Sequence, residues 1–199
     1  MLVRDRDAVG AIEFAAHDGD DRIVCMTSHG RGGLRWAMLG SVAEAVVHRL
    51  PEPILPVGRH CDPERIGARE LVVCWDGSDA SNALLAPAAE WAKALELGVH
   101  LVYVAHSLDV EAVSHRDELF AEAVGKLAAE GLAVDGRVLR GTYAAGLIAD
   151  YTNARPVALL ACATHERTGA ARFVIGSTTM GLVGSAACPV LVAHLAHKQ

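Results

Sequence analysis

Residues 70–78, Glu-Leu-Val-Val-Cys-Trp-Asp-Gly-Ser, decide the fold. An apolar run that ends at Asp-Gly-Ser predicts a buried strand followed by a tight turn, with Ser78 or Asp79 capping the next helix. Downstream, the pattern predicts strands at 99–105, 134–140, 157–162 and 189–193, and helices at about 79–97, 110–130, 144–153 and 177–187. Strands that alternate with helices of this length predict an α/β fold, in which helices cover both faces of a parallel sheet.

Two local signals refine these predictions. Pro87 falls inside the first helix, so it should lie near the first turn or cause a kink, and Gly98 should end that helix. Pro189 begins the last strand, which favours a position at the edge of the sheet because proline cannot donate a ladder hydrogen bond.

The chain also contains an internal repeat. Gly40-Ser41 recurs as Gly176-Ser177, and the same offset of 136 residues pairs Pro53 with Pro189 without a gap. A long ungapped repeat indicates two copies of one folding unit. The first copy holds only the later elements, namely a helix at about 7–16, a strand at 22–26, a helix at 41–50 and a strand at 53–57. We therefore predict a partial module at 1–58, a linker at 59–69 and a complete module at 70–195.

The partial module should leave a strand without one neighbour. Residues 22–26 lack the inner strand that a complete copy would place beside them, so apolar backbone would be left unpaired. We expect this edge to be covered by the second module, by another chain or by residues outside this sequence.

Composition excludes several classes of protein. The net charge of −6 gives no general attraction to nucleic acid or to anionic membranes, and no apolar run approaches the roughly 20 residues of a membrane helix. The five cysteines form no C-x-x-C pair, and four of them lie in or beside apolar runs, which predicts small buried side chains in a reduced, cytoplasmic chain. The ten histidines show no metal-binding spacing.

Several motifs at matching spacing resemble the universal stress protein family. They are Val72-Val-Cys-Trp-Asp-Gly-Ser-Asp-Ala-Ser81 and Cys188-Pro-Val-Leu-Val192 in the second copy, and Ser28-His-Gly-Arg-Gly-Gly-Leu34 and Leu39-Gly-Ser-Val-Ala-Glu44 in the first. The resemblance implies a doubly wound five-stranded sheet of order 3-2-1-4-5 in the complete module. It also implies antiparallel pairing of the last strands of two modules, here 53–57 with 189–193 in the same chain or in another, and Pro56 should limit that pairing.

The resemblance further implies a site for ATP, with Mg, at the carboxyl ends of the strands. The family's phosphate loop has a glycine, two residues, a glycine, nine residues and then Gly-Ser or Gly-Thr. In the second copy the series falls on Ala163, Glu166, Gly176 and Ser177, followed by Thr178, and the base and ribose side falls on Asp76 and Val104. In the first copy it falls on Thr27, Gly30, Gly40 and Ser41, followed by Val42.

Both copies depart from the family pattern. Glu166 would place a carboxylate near phosphate oxygens, and like charges ~4 Å apart repel by about 1 kcal/mol in water and by more near a protein surface. Ala163 adds a Cβ, which is costly if that position needs a positive φ. The first copy has the better loop but no strands for the base. Asp76 could instead serve only the turn, and Ser177 only as a helix cap.

The sequence thus predicts a stress-response module that binds adenine nucleotide at a degraded phosphate loop. One alternative is a dimerisation or scaffold module that binds no nucleotide, and another is a weak ATP hydrolase. We find no arranged base, nucleophile or metal cluster in the sequence, which argues against catalysis. A homo-oligomer or intramolecular pairing of the modules is expected, without nucleic-acid or membrane partners.

Overall fold

The computed structural model describes residues 7–17, 22–27, 40–65, 67–106, 110–164 and 176–194. Within these residues the partial module contributes α1 (Ala8–Ala16), β1 (Val24–Thr27), α2 (Ser41–Arg49) and β2 (Ile54–Val57). The second module contributes β3 (Glu70–Trp75), α3 (Asp79–Ala83), α4 (Leu85–Ala94), β4 (Gly98–Ala105), α5 (Val110–Ala129), β5 (Val134–Arg140), α6 (Ala144–Asn153), β6 (Val157–Ala163), α7 (Ser177–Ser185) and β7 (Val190–Ala193).

All seven strands form one sheet in the order β1-β2-β7-β6-β3-β4-β5. The strands of the second module follow the order 3-2-1-4-5 that the resemblance implied, and neighbouring strands within each module run parallel. The α/β prediction is therefore confirmed, and the two modules share one continuous sheet.

The internal repeat is visible in the register of the strands. Val24 lies opposite Ile54 in the first module, and Leu160 lies opposite Val190 in the second, each displaced by the same 136 residues. The first ladder bond also repeats, because the N–H of Val24 donates to the Pro53 carbonyl at 3.0 Å and the N–H of Leu160 donates to the Pro189 carbonyl at 3.0 Å. The sequence repeat is thus a structural repeat at the level of single hydrogen bonds.

Strands β2 and β7 pair antiparallel and join the modules within the chain. The register places Ile54 opposite Val192. Proline lacks an N–H, which is why Pro56 was expected to limit this pairing. The prediction that Pro189 marks an edge strand was wrong. Strand β7 lies between β6 and β2 with all four residues buried, and Pro189 just before it needs only its carbonyl for the ladder.

Helices cover the sheet in two layers. On one face α1, α2, α6 and α7 pack together, and their buried residues include Val46, Val47, Ile148 and Leu182. On the other face α3, α4 and α5 cover the second module, where Trp75 contacts Tyr103 and Phe120 at ring-centroid distances of 5.7 and 5.5 Å. The first face is continuous across both modules, so the partial module is packed into the same core as the complete one.

The first helical segment of the second module is divided. Helix α3 ends at Ala83 and α4 begins at Leu85, so Pro87 lies in the first turn of α4, where a missing N–H costs little. The expectation that Gly98 ends this helix was wrong. The helix ends at Ala94, Glu96 takes the left-handed conformation at φ 54°, and Gly98 already belongs to β4.

The segment between the modules is held by a short 3-10 turn, Pro63–Arg65, and by one arginine. The guanidinium of Arg65 donates to the carbonyls of Thr152, Asn153 and Arg155 at 3.0, 2.7 and 2.6 Å. Thr152 and Asn153 end α6 and Arg155 follows it, so these carbonyls lie at the C-terminal end of a helix, where positive charge is favoured. Arg65 therefore fastens the linker to the second module.

Strand β1 forms one end of the sheet, and among the described residues it pairs only with β2. Cys25 in this strand is exposed, which corrects the prediction of a buried thiol, whereas Cys162 and Cys188 are buried as predicted. The difference arises because β1 has an open face, while β6 and β7 are covered. No helix in the described ranges is long and apolar enough to cross a membrane.

His194 is buried just after β7, where its Nδ1 lies 2.8 Å from the Thr164 hydroxyl. Burial, reinforced by His48, lowers the pKa of His194 from 6.5 to about 4. In the folded state the ring therefore stays neutral at pH values at which it would be charged in the unfolded chain.

Replacement of Arg65 by methionine should lower the free energy of unfolding by about 1–3 kcal/mol, because the three hydrogen bonds that Arg65 donates to the carbonyls of residues 152, 153 and 155 are lost. Urea denaturation measures the change. The matched control is Arg59→Met, since Arg59 is exposed and donates only to His60 among the described hydrogen bonds. Equal effects of the two substitutions would show that Arg65 does not hold the linker.

Acidification from pH 6.5 to pH 4 should destabilise the protein through His194, by up to about 3 kcal/mol. The unfolded chain binds a proton near pH 6.5 and the folded chain only near pH 4, so the unfolded state is favoured as the pH falls between these values. Urea denaturation at several pH values should show that the free energy of unfolding depends less steeply on pH in His194→Gln than in the unaltered protein. An unchanged slope in that variant would rule out this group as the cause.

Candidate functional site

A pocket of about 320 Å³ opens at the carboxyl ends of β3, β4 and β6. This is the edge at which open α/β sheets bind their ligands, because the crossover connections diverge there. All five residues predicted for the site in the second module line this pocket: Asp76, Val104, Gly176, Ser177 and Thr178. Ala163, one of the two degraded loop positions, also lines it.

Asp76 forms one side of the pocket and also organises the turn after β3. Its Oδ1 accepts a hydrogen bond from the N–H of Ser78 at 3.0 Å, so the structural role considered from the sequence is real. Ser78 then caps α3, as its hydroxyl accepts from the N–H of Ser81 at 3.2 Å. The turn thus fixes the position of the carboxylate at the mouth of the pocket.

Gly77 gives this turn its shape. Its φ is +80°, a conformation that side chains disfavour, and a Cβ would lie 3.0 Å from a guanidinium nitrogen of Arg116. Arg116 reaches across from α5 and donates to the Asp76 carbonyl. Sequence reasoning missed this contact, because Arg116 lies 40 residues from Asp76, within α5.

The N-terminus of α7 also lines the pocket, through Gly176, Ser177 and Thr178. Gly176 is the N-cap, with an extended backbone, and as a glycine it has no side chain to accept a hydrogen bond from the first turn. The prediction that Ser177 serves as the N-cap was therefore wrong, since Ser177 is the first helical residue and is exposed. N–H groups of a first turn have no intrahelical acceptor and favour anions.

Gly176 itself has no conformational reason to be glycine. Its φ is −67°, which any residue adopts, and none of the described atoms lies within 4 Å of the position that a Cβ would take. A bare backbone at this position keeps the entrance to the helix terminus open.

The inner part of the pocket is apolar and contains two thiols, those of Cys74 and Cys162. Burial raises the pKa of Cys74 well above its usual value, with Cys162, Asp76 and Cys188 adding to the effect, and burial raises the pKa of Cys162 to about 11. Thiolate is the reactive form of cysteine, so both groups remain neutral lining atoms rather than nucleophiles at neutral pH.

His106 was not predicted as a site residue. It follows β4 directly, lines the pocket and places Nδ1 2.9 Å from the Gly141 carbonyl. The signal that could have found it is its position, because a polar residue immediately after a parallel strand lies at the ligand-binding edge.

The degraded loop is only partly described. Ala163 ends β6 without a positive φ, so the strain that was considered for this position does not arise. Glu166 lies outside the described residues. In the first module Thr27 ends β1. Gly40 is the N-cap of α2, and Ser41 and Val42 are exposed in the first turn of that helix. Gly30 lies outside the described residues. Strands corresponding to β3 and β4 are absent from the described part of that module.

Comparison with known sequences follows the same division of the chain. The universal stress protein family matches residues 1–58 and again residues 67–194. The chain belongs to the universal stress protein family. No match was found among curated proteins.

Solved structures share this fold. A universal stress protein from Archaeoglobus fulgidus DSM 4304 is 20% identical, with a TM-score of 0.70 over 94% of this chain and 66% of its own. A protein from Pseudomonas aeruginosa UCBPP-PA14, provisionally named a universal stress protein, is 18% identical, with a TM-score of 0.65 over 86% of this chain and 63% of its own. The chain therefore spans less than two thirds of the length of these two relatives.

A third structure matches a smaller share of the chain. It is a universal stress protein from Archaeoglobus fulgidus in complex with dAMP, 21% identical, with a TM-score of 0.53 over 62% of this chain and 96% of its own. At this level of identity the likeness establishes the fold of the universal stress protein module.

Replacement of Gly77 by alanine should destabilise the protein by about 1–2 kcal/mol, because a Cβ at φ +80° is strained and displaces Arg116. Gly125→Ala is the matched control. Gly125 lies within α5 with nothing within 4 Å of its Cβ position, so alanine there should stabilise by about 0.5–1 kcal/mol. Thermal or urea unfolding would contradict the role of the turn if both variants changed stability in the same direction.

Proposed function

We propose that the second module binds an adenine nucleotide in the pocket at the carboxyl ends of β3, β4 and β6, and that the protein acts in stress responses as a nucleotide-dependent module. The observation that carries this proposal is the meeting of two different surfaces in one cavity. Both the Asp76 turn and the N-terminus of α7 line it.

The N-terminus of α7 suits the phosphate groups. Ser177 and Thr178 begin the helix, so their N–H groups lack intrahelical acceptors, and the positive end of the helix dipole lies there. Among the described residues, no atom lies within 4 Å of the position of a Cβ on Gly176, which favours close approach to this backbone. Ser78 lines the same cavity, so its hydroxyl is a further polar group near a phosphate held here.

The inner part of the cavity suits a flat, apolar base. Val104, Ile148 and Leu182 line it together with the neutral thiols of Cys74 and Cys162. The volume of about 320 Å³ is at the lower end of the range for small-molecule sites. Solved relatives in complex with dAMP and with cAMP support the choice of an adenine nucleotide. Asp76 lines the same cavity, and its carboxylate is the partner that we propose for a ribose hydroxyl.

Two features favour a modest affinity for the adenine nucleotide and argue against efficient hydrolysis of ATP. In the sequence, Glu166 adds a negative charge ten residues before Gly176, at a motif position that the family resemblance assigns to the phosphate site, and a carboxylate there would oppose phosphate binding. The described residues contain no group of three or more side chains suited to a metal ion. Mg would therefore be held mainly by the phosphates of ATP, with the Asp76 carboxylate as a candidate protein ligand.

Ser177→Pro tests the proposal with little disturbance of the fold. Proline is favoured at the first helical position, so α7 should persist, but the N–H of residue 177 is lost. A hydrogen bond to a charged group contributes about 1.5–3 kcal/mol, so affinity for ATP should fall about 10- to 150-fold in titration calorimetry. Ser41→Pro, at the equivalent position of α2, should leave ATP binding unchanged, and Ser177→Ala separates the role of the hydroxyl.

The same titration separates the alternatives. Absence of binding by the unaltered protein at millimolar ATP, together with absence of co-purified nucleotide, would overturn the proposal in favour of a scaffold module. Equal loss of affinity in Ser177→Pro and Ser41→Pro would place the site elsewhere. Release of inorganic phosphate from ATP, if abolished by Ser177→Pro, would support the hydrolase alternative.

A further inference from the structure

The two ends of the seven-stranded sheet differ in chemistry. Strand β5 at one end carries Asp135, Arg137 and Arg140, and Arg137 bonds to Asp135 at 2.6 Å. Charged side chains are the usual means by which an edge strand avoids pairing with another chain. Strand β1 at the other end reads Val-Cys-Met-Thr and has neither a charge nor a proline. Its composition is that of an interior strand.

The internal repeat identifies the neighbour that β1 lacks. Strand β1 is the copy of β6, and β2 is the copy of β7, with the same register in both pairs. On its other side β6 pairs in parallel with β3, where Val72 lies opposite Leu160 and Val73 opposite Ala161. The described part of the first module contains no strand in that position. The open place beside β1 therefore corresponds to a parallel strand like residues 70–75.

The backbone of Cys25 points to this open place. In a parallel ladder alternate residues bond to opposite neighbours. The N–H of Val24 donates to the Pro53 carbonyl of β2, so the N–H and carbonyl of the next residue, Cys25, face the free edge. The repeat agrees, because Cys25 corresponds to Ala161, which is paired with Val73 of β3.

An apolar groove adjoins this edge. It has a volume of about 400 Å³, with Leu55, Leu159 and Leu191 on the sheet. Trp91 of α4 and Leu95, which caps the end of that helix, form one wall. Ile23, which precedes β1 and is 50% exposed, also lines the groove. In the second module, the strand β3 is followed by α3 and α4, which supply that wall. By the symmetry of the repeat, a strand beside β1 would be followed by a helix that forms the second wall.

We propose that the open edge of β1 is an interaction site for another polypeptide, which adds an uncharged, apolar strand in parallel and follows it with a helix over the groove. The occupant has the chemistry of residues 71–75 of this chain. Main-chain hydrogen bonds at Cys25 provide the pairing, and the groove beside Ile23 accepts the apolar side of the helix.

A fluorescent peptide with the sequence of residues 69–77, with lysines added for solubility and serine in place of Cys74, is a suitable probe. It should bind the full chain, as followed by fluorescence anisotropy, and a peptide with proline at both Val72 and Val73 should bind at least about tenfold more weakly because it lacks donors. In the protein, Cys25→Pro should also weaken binding by about tenfold or more, since it removes only the N–H that faces outward. Cys25→Val retains that N–H and is the matched control, with binding like that of the unaltered chain.

Hydrogen exchange of the unaltered protein provides a second measurement that does not depend on the folding of any variant. The amide of Cys25 should exchange rapidly in the free chain and about 100-fold more slowly with saturating peptide. Slow exchange in the free monomer would overturn the proposal, because the chain would then cover its own edge. It would also be overturned by equal peptide binding of Cys25→Pro and Cys25→Val, by no binding to the unaltered chain, or by a peptide-independent dimer that Cys25→Pro abolishes.

Discussion

Two short strands, β2 and β7, meet antiparallel near Ile54 and Val192 and turn two unequal modules into one sheet. The partial module has only two described strands, too few to bury a core of its own. Joined to β7, it shares a continuous apolar layer in which Val46 and Val47 of α2 belong to the same cluster as Leu182 and Val183 of α7. The arrangement of the remaining elements depends on this junction, because it sets which face of the first module is covered and which edge is open.

The candidate site depends on a different constraint, the direction of the parallel strands. Strands β3, β4 and β6 all end at one edge of the sheet, and the helices that follow them begin there. Helix α7 therefore presents its N-terminus to the cavity that the Asp76 turn also lines. In the first module α2 also presents an uncapped N-terminus after Gly40, yet the described residues of that module contain no strand to carry a corresponding turn. A helix terminus alone gives an anion little specificity, so the complete module is the better candidate for a nucleotide.

Sequence patterns were most accurate where the signal was local. The bounds of β3 and β5 agree with the pattern to the residue, since an apolar run or an alternation that ends in a turn is decided by neighbours in the chain. They failed where a residue's role depends on distant partners. Pro189 was assigned to an edge because a proline within a strand lacks a donor, but it lies just outside β7 and contributes only its carbonyl. Ser177 was considered as a cap, but the extended backbone of Gly176 takes that role.

The sequence by itself determined the fold class and the partial repeat, because both follow from periodicity and spacing along the chain. The residues that line the pocket were implied by the resemblance to the universal stress protein family, which the motifs carry. Only the tertiary structure decided that Arg65 fastens the linker, that Arg116 supports the Asp76 turn, that His106 lines the cavity and that the thiols of Cys74 and Cys162 are held neutral. It also decided that Cys25 is exposed at an uncharged edge while Cys162 is buried. Both cysteines lie in similar apolar runs, and their environments differ because burial depends on which strands and helices pack beside them.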